Sequence, residues 1–205
     1  MPRRFPARRS TTFDVRLHGR GGQGVVTTAE LLSVAAFEEG HHAQAFPTFG
    51  SERTGAPVAA FCRISPKPIR TREPIARPDA LVIQDPTLLH QVDVFSGLGD
   101  DAFVLINTVR TPDDLGIEDI VERIRPGRLA TVPASDLGRT HLGRALPGGA
   151  LLGGLAALTE AIGLRGIEHA ITARFSGAMA EGNVAAARAG HAHVEALMTK
   201  EPSHA

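Results

Sequence analysis

The fold of this chain is decided by one stretch, Val15-Arg16-Leu17-His18-Gly19-Arg20-Gly21-Gly22-Gln23-Gly24-Val25-Val26. Its apolar, alternating beginning predicts a β-strand that leads into a loop rich in glycine. Gly19, Gly21 and Gly24 fit the pattern G-x-G-x-x-G, and Gly22 is an additional glycine. Glycine allows positive φ and close approach of a ligand, and the start of the following helix offers free N–H groups to an anion. The loop is therefore either a phosphate-binding turn or an ordinary tight strand-to-helix turn.

The rest of the chain continues an alternating strand and helix pattern. Apolar residues at helical spacing over 25–37 predict a helix that Gly40 ends. Short apolar runs typical of buried strands follow at 80–85, 102–107 and 129–132. Two further strands and three C-terminal helices are predicted over 41–46, 58–64, 150–162, 167–175 and 181–198. We predict an α/β, Rossmann-like layered domain with a mostly parallel sheet and C-terminal helices.

Local composition predicts the bounds of the domain and the ends of two helices. Residues 1–12 are rich in arginine and predict a flexible basic arm, residues 13–198 a single α/β domain, and residues 199–205 a tail. Ser135 is expected to cap the N-terminus of a helix that runs towards Leu142. Pro147-Gly148-Gly149 is expected to break the chain before the first of the three C-terminal helices.

Composition excludes several classes of protein. The 205 residues carry 22 basic and 22 acidic side chains, so no overall field attracts nucleic acid. No apolar stretch approaches the roughly 18–20 residues that a membrane span requires. The single cysteine, Cys62, rules out a disulfide or an all-cysteine iron–sulfur cluster within the chain and fits a reducing cytoplasm. Because Cys62 lies in an apolar strand, we expect it to be a buried small hydrophobe.

A nicotinamide site is disfavoured by the acidic residues. A dinucleotide site needs a carboxylate at the end of the second strand to bind the ribose. Glu38 and Glu39 have the required spacing from the loop, but they precede Gly40 and so belong to the end of a helix. The second strand itself ends without a carboxylate.

Other reactive groups give weaker indications. In Ser51-Glu52-Arg53-Thr54-Gly55, Arg53 is either an anion contact or half of a surface ion pair. Adjacent histidines at 41–42 and the pair His191 and His193 point apart, so they do not predict a metal site. His18 adjoins the glycine loop. Neither a P-loop nor a nucleophile elbow is present, and the sequence offers no convincing acid–base pair, metal set or nucleophile. This pattern indicates a subunit that is non-catalytic or holds only part of a site.

Two motifs together resemble a known family. Residues 18–24 and the run Ala45-Phe46-Pro47-Thr48-Phe49-Gly50-Ser51-Glu52-Arg53-Thr54-Gly55-Ala56-Pro57-Val58 are similar to the gamma subunit of the pyruvate:ferredoxin oxidoreductase group of 2-oxoacid:acceptor oxidoreductases. The run from Asp85 to Leu89 and the segment 178–188 are similar too. The chain departs from the family at Gly148 or Gly149, where asparagine is frequent.

The resemblance implies a multi-subunit enzyme that decarboxylates a 2-oxoacid to an acyl-CoA and reduces ferredoxin or a similar carrier. Thiamine diphosphate and Mg are expected between alpha and beta subunits, and [4Fe–4S] clusters on a ferredoxin-like subunit. This chain is expected to be inactive alone, to hold no cofactor by itself, and to line the coenzyme A side of the active site. The residues expected to contact the ligand are Gly19, Arg20, Gly21, Gly22, Gln23, Gly24 and Thr27, with Arg53 as a secondary contact.

Neither the residues nor the resemblance fixes the substrate, so pyruvate, 2-oxoisovalerate, 2-oxoglutarate and phenylglyoxylate stay open. Two other functions also stay open. The chain is alternatively a purely structural assembly subunit, in which the glycine loop packs backbone against backbone. The least favoured alternative is a free-standing dinucleotide-binding reductase.

Overall fold

The computed structural model describes residues 12–48 and 54–200. Its strands are β1 (Phe13–Arg20), β2 (His42–Pro47), β3 (Pro57–Ser65), β4 (Ala80–Ile83), β5 (Phe103–Asn107) and β6 (Leu129–Val132). Its α-helices are α1 (Val25–Glu38), α2 (Glu118–Arg123), α3 (Ala134–Leu142), α4 (Gly148–Thr159), α5 (Leu164–Arg174) and α6 (Gly177–Lys200). Two short 3-10 helices, Pro86–His90 and Pro112–Leu115, follow β4 and β5. The predictions for residues 1–11, for Arg53 and for 201–205 lie outside the described residues.

The strands of the described ranges form one sheet in the order β2-β3-β1-β4-β5-β6. Strands β1, β4, β5 and β6 pair in parallel, whereas β3 runs antiparallel to both of its neighbours. Every strand except β3 therefore points the same way, and the predicted mostly parallel α/β fold is confirmed. The parallel arrangement brings the carboxyl ends of β1, β4 and β5 to one edge of the sheet.

Each face of the sheet has its own core. On one face, α1, α4 and α6 pack over alternate strand residues such as Leu17 and Leu105, and α5 packs on these helices. On the other face, Ile83 and Ile106 pack under the helix Pro86–His90 and α2. Since parallel strands are covered on both faces, they read as continuous apolar runs in the sequence.

Helix α4 is buried on nearly every side and packs closely against α6. A Cβ at Gly153 would overlap the carbonyl oxygen of Ala187, and a Cβ at Gly190 would overlap that of Ala150. Only glycine lets the two backbones approach this closely. Gly153 and Gly190 therefore serve close packing of the two helices.

Two local predictions are wrong. Ser135 does not cap α3, which begins at Ala134; instead its hydroxyl accepts a 2.8 Å hydrogen bond from the amide of Asn107. Gly148 and Gly149 do not break the chain but form the first turn of α4. Glycine is needed there because a Cβ at Gly148 would lie 2.6 Å from the Thr28 hydroxyl oxygen, and a Cβ at Gly149 would lie 2.8 Å from the Asn183 carbonyl oxygen.

Helix α6 reaches Lys200, two residues beyond the expected end of the domain at 198. Across the two described ranges, no helix combines the length and apolarity that a bilayer crossing requires.

Candidate functional site

The candidate site lies where β1 and β4 end side by side. From β1 the chain leaves through α1 towards β2 on one side of the sheet, whereas β4 continues to β5 and β6 on the other side. Ligands of open α/β sheets bind at such a point, outside the carboxyl ends of the strands. The glycine loop after β1 and the residues after β4 meet here.

Positive backbone angles explain two of the loop glycines. Gly22 has φ +89° and Gly24, the N-cap of α1, has φ +76°, a conformation that side-chain-bearing residues rarely adopt. Gly19 is needed for a different reason, because a Cβ there would lie 2.5 Å from a methyl group of Val25. Gly21 exchanges backbone hydrogen bonds with Gly55 and Ala56, at 2.9 and 3.0 Å, which ties the loop to the beginning of β3.

Arg20 is engaged by the protein itself. Its guanidinium donates to the carbonyl oxygen of Gly55 at 3.0 Å, to the Thr87 hydroxyl at 2.7 Å and to the Gln91 amide oxygen at 2.6 Å. Its Nε also lies 3.2 Å from the carboxylate of Asp85. Arg20 therefore joins the loop to the segment after β4, and its predicted contact with a ligand stays a prediction.

Gln23 crosses the crevice between the two strand ends. Its Oε1 accepts from the N–H of Arg20 at 2.8 Å, and its Nε2 donates to Asp85 at 2.7 Å. Burial raises the pKa of Asp85, but hydrogen bonds from Thr87 and Gln23 and the charge of Arg20 outweigh burial and hold the pKa below its usual value. Asp85 is thus an ionised anchor for the loop and not a proton donor near neutral pH.

Buried polar side chains continue this network below the loop. The amide of Gln84 donates to the Gln23 carbonyl oxygen at 2.5 Å, and the Asn107 amide donates to the Gln84 carbonyl oxygen at 2.8 Å. The hydroxyl of Thr28 donates to the Gly24 carbonyl oxygen at 3.0 Å. Sequence reasoning missed Gln84 and Asn107. The signal was available, since each is a polar residue at the end of an apolar strand run.

A cavity of about 220 Å³ opens beside the first turn of α1. Its lining comes from α1, from the beginning of α4 and from the α5–α6 corner: Gln23, Gly24, Thr27, Thr28, Leu31, Leu146, Gly148, Gly149, Arg174, Phe175, Met179 and Asn183. Of the predicted ligand residues, Gln23, Gly24 and Thr27 line it, whereas Gly19, Arg20, Gly21 and Gly22 do not. Arg174 and Asn183 were not predicted, because they lie far along the chain in ordinary helical patterns.

The cavity has the electrostatics of an anion site. Both α1 and α4 begin at it, and the free N–H groups of a helix start carry partial positive charge. Arg174 adds a full positive charge, and the cavity lining contains no carboxylate. The side chain of Asn183, only 7% exposed, donates to the Met179 carbonyl oxygen at 2.8 Å, and its Oδ1 accepts no hydrogen bond from the described residues.

The remaining candidate groups are not placed for acid–base or nucleophilic chemistry. Burial, with a smaller contribution from the charge of Arg16, lowers the pKa of His18 to about 4, so this imidazole is neutral at pH 7. His18 points away from the cavity, because it alternates along β1 with Gly19, which faces α1. Burial raises the pKa of the Cys62 thiol, and the expected role of this residue as a buried hydrophobe is confirmed.

The helix-end position of the two glutamates is confirmed as well. Glu39 accepts from the N–H of Gly163 at 2.7 Å, and Glu38 lies 3.3 Å from the His169 imidazole. Both carboxylates are therefore remote from the place where a ribose would bind. Among residues 12–48 and 54–200, no group of three or more His, Cys, Asp or Glu side chains converges in the manner of a metal site.

Comparison with known proteins gives one consistent family. A family model described as pyruvate ferredoxin/flavodoxin oxidoreductase matches residues 14–193. The chain is 46% identical, over 85% of its length and 93% of the relative's, to the pyruvate/ketoisovalerate oxidoreductases common subunit gamma of Thermococcus kodakarensis. It is 46% identical, over 78% of its length and 85% of the relative's, to pyruvate synthase subunit PorC of Methanosarcina barkeri.

A solved structure agrees with these sequence relatives. The fold is similar to that of the pyruvate oxidoreductase subunit PORC of Thermotoga maritima, with a TM-score of 0.74 and 33% identity. The alignment covers 89% of this chain and 97% of that one.

Proposed function

The chain belongs to the pyruvate ferredoxin/flavodoxin oxidoreductase family as a gamma-type subunit, and we propose that it lines the coenzyme A side of the active site of such a complex. The complex would convert a 2-oxoacid and coenzyme A to an acyl-CoA and CO₂, and pass two electrons to ferredoxin or a similar carrier. The observation that carries the proposal is the cavity at the start of α1.

The cavity suits an anionic, amide-bearing molecule. The starts of α1 and α4 and the guanidinium of Arg174 favour phosphate oxygens. The Thr27 hydroxyl and the free Oδ1 of Asn183 can bind the hydroxyl and amide groups of a pantetheine arm. At about 220 Å³ the cavity holds only part of coenzyme A, so the remainder would lie against partner subunits.

Other parts of the reaction fall to other chains. A single buried cysteine cannot supply the four thiolates of a [4Fe–4S] cluster. Thiamine diphosphate, held with Mg between alpha and beta subunits, would supply stabilisation of the carbanion left by decarboxylation. The gamma-type chain would bind and orient coenzyme A and exclude water, but it would show no oxidoreductase activity by itself. We place this complex, with its ferredoxin-like cluster subunit, in the cytoplasm.

A purely structural role is the second candidate. It is favoured by Arg20, whose guanidinium contacts are all internal to the described residues. In that case the glycine loop serves as a rigid joint and the cavity faces no substrate.

Steady-state kinetics of the assembled complex separates the two candidates. Thr27→Val and Arg174→Gln each change the cavity lining without touching the network of Arg20 and Asp85. The proposal predicts that KM for coenzyme A rises about tenfold while KM for the 2-oxoacid and the cluster content stay unchanged. Arg165→Gln, on the same helix as Arg174 but outside the cavity, is the matched control. An unchanged KM for coenzyme A in both cavity variants would contradict the proposal.

A further inference from the structure

Residues 66–78, which we call the strap, form an ordered segment without regular secondary structure. It contains Pro66, Pro68, Pro74 and Pro78 and crosses the sheet face formed by β1, β3 and β2. Phe61 of β3 is 4% exposed on this side of the sheet and belongs to neither core cluster. The strap therefore covers a part of the sheet that no helix of the described residues covers.

The backbone of the strap is held from beneath by side chains of the sheet. Arg16 of β1, 7% exposed, donates to the carbonyl oxygens of Ile75 and Val94, at 3.3 and 3.0 Å. It thereby ties the strap to the loop that precedes β5. A Cβ at Gly97 would overlap the carbonyl oxygen of Ala76, so this loop also packs directly on the strap.

Two more side chains fix the other half of the strap. Arg63 of β3, paired with Asp14 at 2.8 Å, donates to the Thr71 hydroxyl at 2.8 Å. In the amide orientation that gives both of its ends a partner, Gln44 of β2 donates to the Thr71 carbonyl oxygen at 3.0 Å and accepts from Arg72 at 2.7 Å. With these anchors and its prolines, the strap has little conformational entropy left to lose on binding.

The outer side of the strap is strongly basic. Lys67, Arg70 and Arg77 are exposed on this side, and together with the anchoring Arg72 they are opposed within the strap by Glu73 alone. No ion pair to Lys67, Arg70 or Arg77 is formed by the residues that the structure describes. A chain with no net charge thus concentrates unpaired positive charge on one rigid segment.

We propose that the strap is the docking surface for an acidic face of another subunit of the complex. The inference depends on the proposed function, because it requires that the chain works within an assembled enzyme. A partner's carboxylates would pair with the free cations, and the rigid backbone would hold those cations in register. Exposed charges at the margin of an interface influence the association rate and the choice of partner, and they make the affinity depend strongly on salt concentration.

The test uses the co-expressed complex, immobilised through a partner subunit. The variant Arg70→Glu/Arg77→Glu reverses two strap charges, and Arg165→Glu reverses one exposed charge on α5. Because the reversed charges would lie against the partner's carboxylates and repel them, we expect about tenfold faster loss of the strap variant from the complex at low ionic strength, and a weaker salt dependence than in the wild type. The control should follow the wild type.

Equal loss rates and equal salt dependence for the wild type, the strap variant and the control would overturn the inference. The inference would also be overturned if the strap variant lost binding to a polyanion such as RNA but was retained in the complex like the wild type. Melting temperatures equal to that of the wild type exclude misfolding, and Arg70→Gln/Arg77→Gln should give an intermediate loss rate. Failure of this test leaves KM for coenzyme A as an independent test of the proposed function.

Discussion

Gln23 and Asp85 are joined by a 2.7 Å hydrogen bond that runs from the Gln23 amide to the Asp85 carboxylate, across the crevice between β1 and β4. The two residues are 62 positions apart in the chain. The bond holds the glycine loop against the end of β4, and so fixes the position of the first turn of α1. Gln23 itself lines the cavity beside that turn, so the bond also positions one wall of the cavity.

We expect Gln23→Ala to loosen the loop. The substitution leaves the Arg20 N–H and the buried Asp85 carboxylate each without one partner, which should lower the free energy of unfolding by about 1–3 kcal/mol. Urea denaturation of the purified chain measures it. Glu30→Ala, at an exposed position of α1, is the control and should change stability little. Equal stability of Gln23→Ala and the control would count against this account.

His18 predicts a dependence of stability on pH. Its pKa is about 4 in the folded chain against an ordinary value of 6.5, chiefly because of burial. The unfolded chain therefore binds a proton that the folded chain does not, and stability falls as pH decreases from about 6.5 to about 4. His18→Gln should lose less stability than the wild type between pH 7 and pH 5 in urea denaturation. Parallel losses in the two proteins would show that His18 does not titrate in this way.

We expect the hydrogen bonds of Arg16 to keep the strap rigid. In Arg16→Met the carbonyl oxygens of the strap and of the neighbouring loop lose their buried donor, so the strap should open more often. Trypsin should then cut after Arg70 and Arg72 several-fold faster, as followed by mass spectrometry of the native chain. Arg188→Met, which removes an exposed ion pair with Glu168, is the control. The same cleavage rate in both variants would mean that Arg16 does not hold the strap.

The contact between α4 and α6 predicts a large effect from one methyl group. Gly153→Ala places a Cβ against the carbonyl oxygen of Ala187, a backbone atom that can yield only if the helices separate. We expect a loss of about 3 kcal/mol. Gly99→Ala, where a Cβ meets nothing within 4 Å, should change stability by about 0.5 kcal/mol or less. Thermal unfolding of both variants decides the point, and similar losses would be inconsistent with the close packing.

Local pattern was enough to predict the fold. The apolar run 129–132 coincides with β6, and the alternating run after Thr12 with the beginning of β1, because burial of these strands leaves its period in the sequence. Boundaries failed where tertiary partners decide them. Ser135 has a hydroxyl that could cap a helix, but this hydroxyl accepts a hydrogen bond from Asn107 instead. No local sequence pattern contains that information.

The candidate site was only partly predictable. The sequence pointed to the glycine loop because positive φ and close packing require glycine at Gly22, Gly24 and Gly19. It did not point to Arg174 and Asn183, because they reach the cavity only through the packing of α5 and α6 on the first turn of α1. Residues brought together from distant parts of a chain leave no spacing that a motif can detect.

The most direct test of the central claim is amide hydrogen exchange at Val25, Val26 and Thr27 in the assembled complex, with and without saturating coenzyme A. These N–H groups begin α1 and have no intrahelical acceptor, so they should exchange rapidly in the free complex. If coenzyme A binds at the cavity, their exchange should slow severalfold, while exchange at the start of α5 stays the same. Unchanged exchange at all three amides in a complex saturated with coenzyme A would contradict the account.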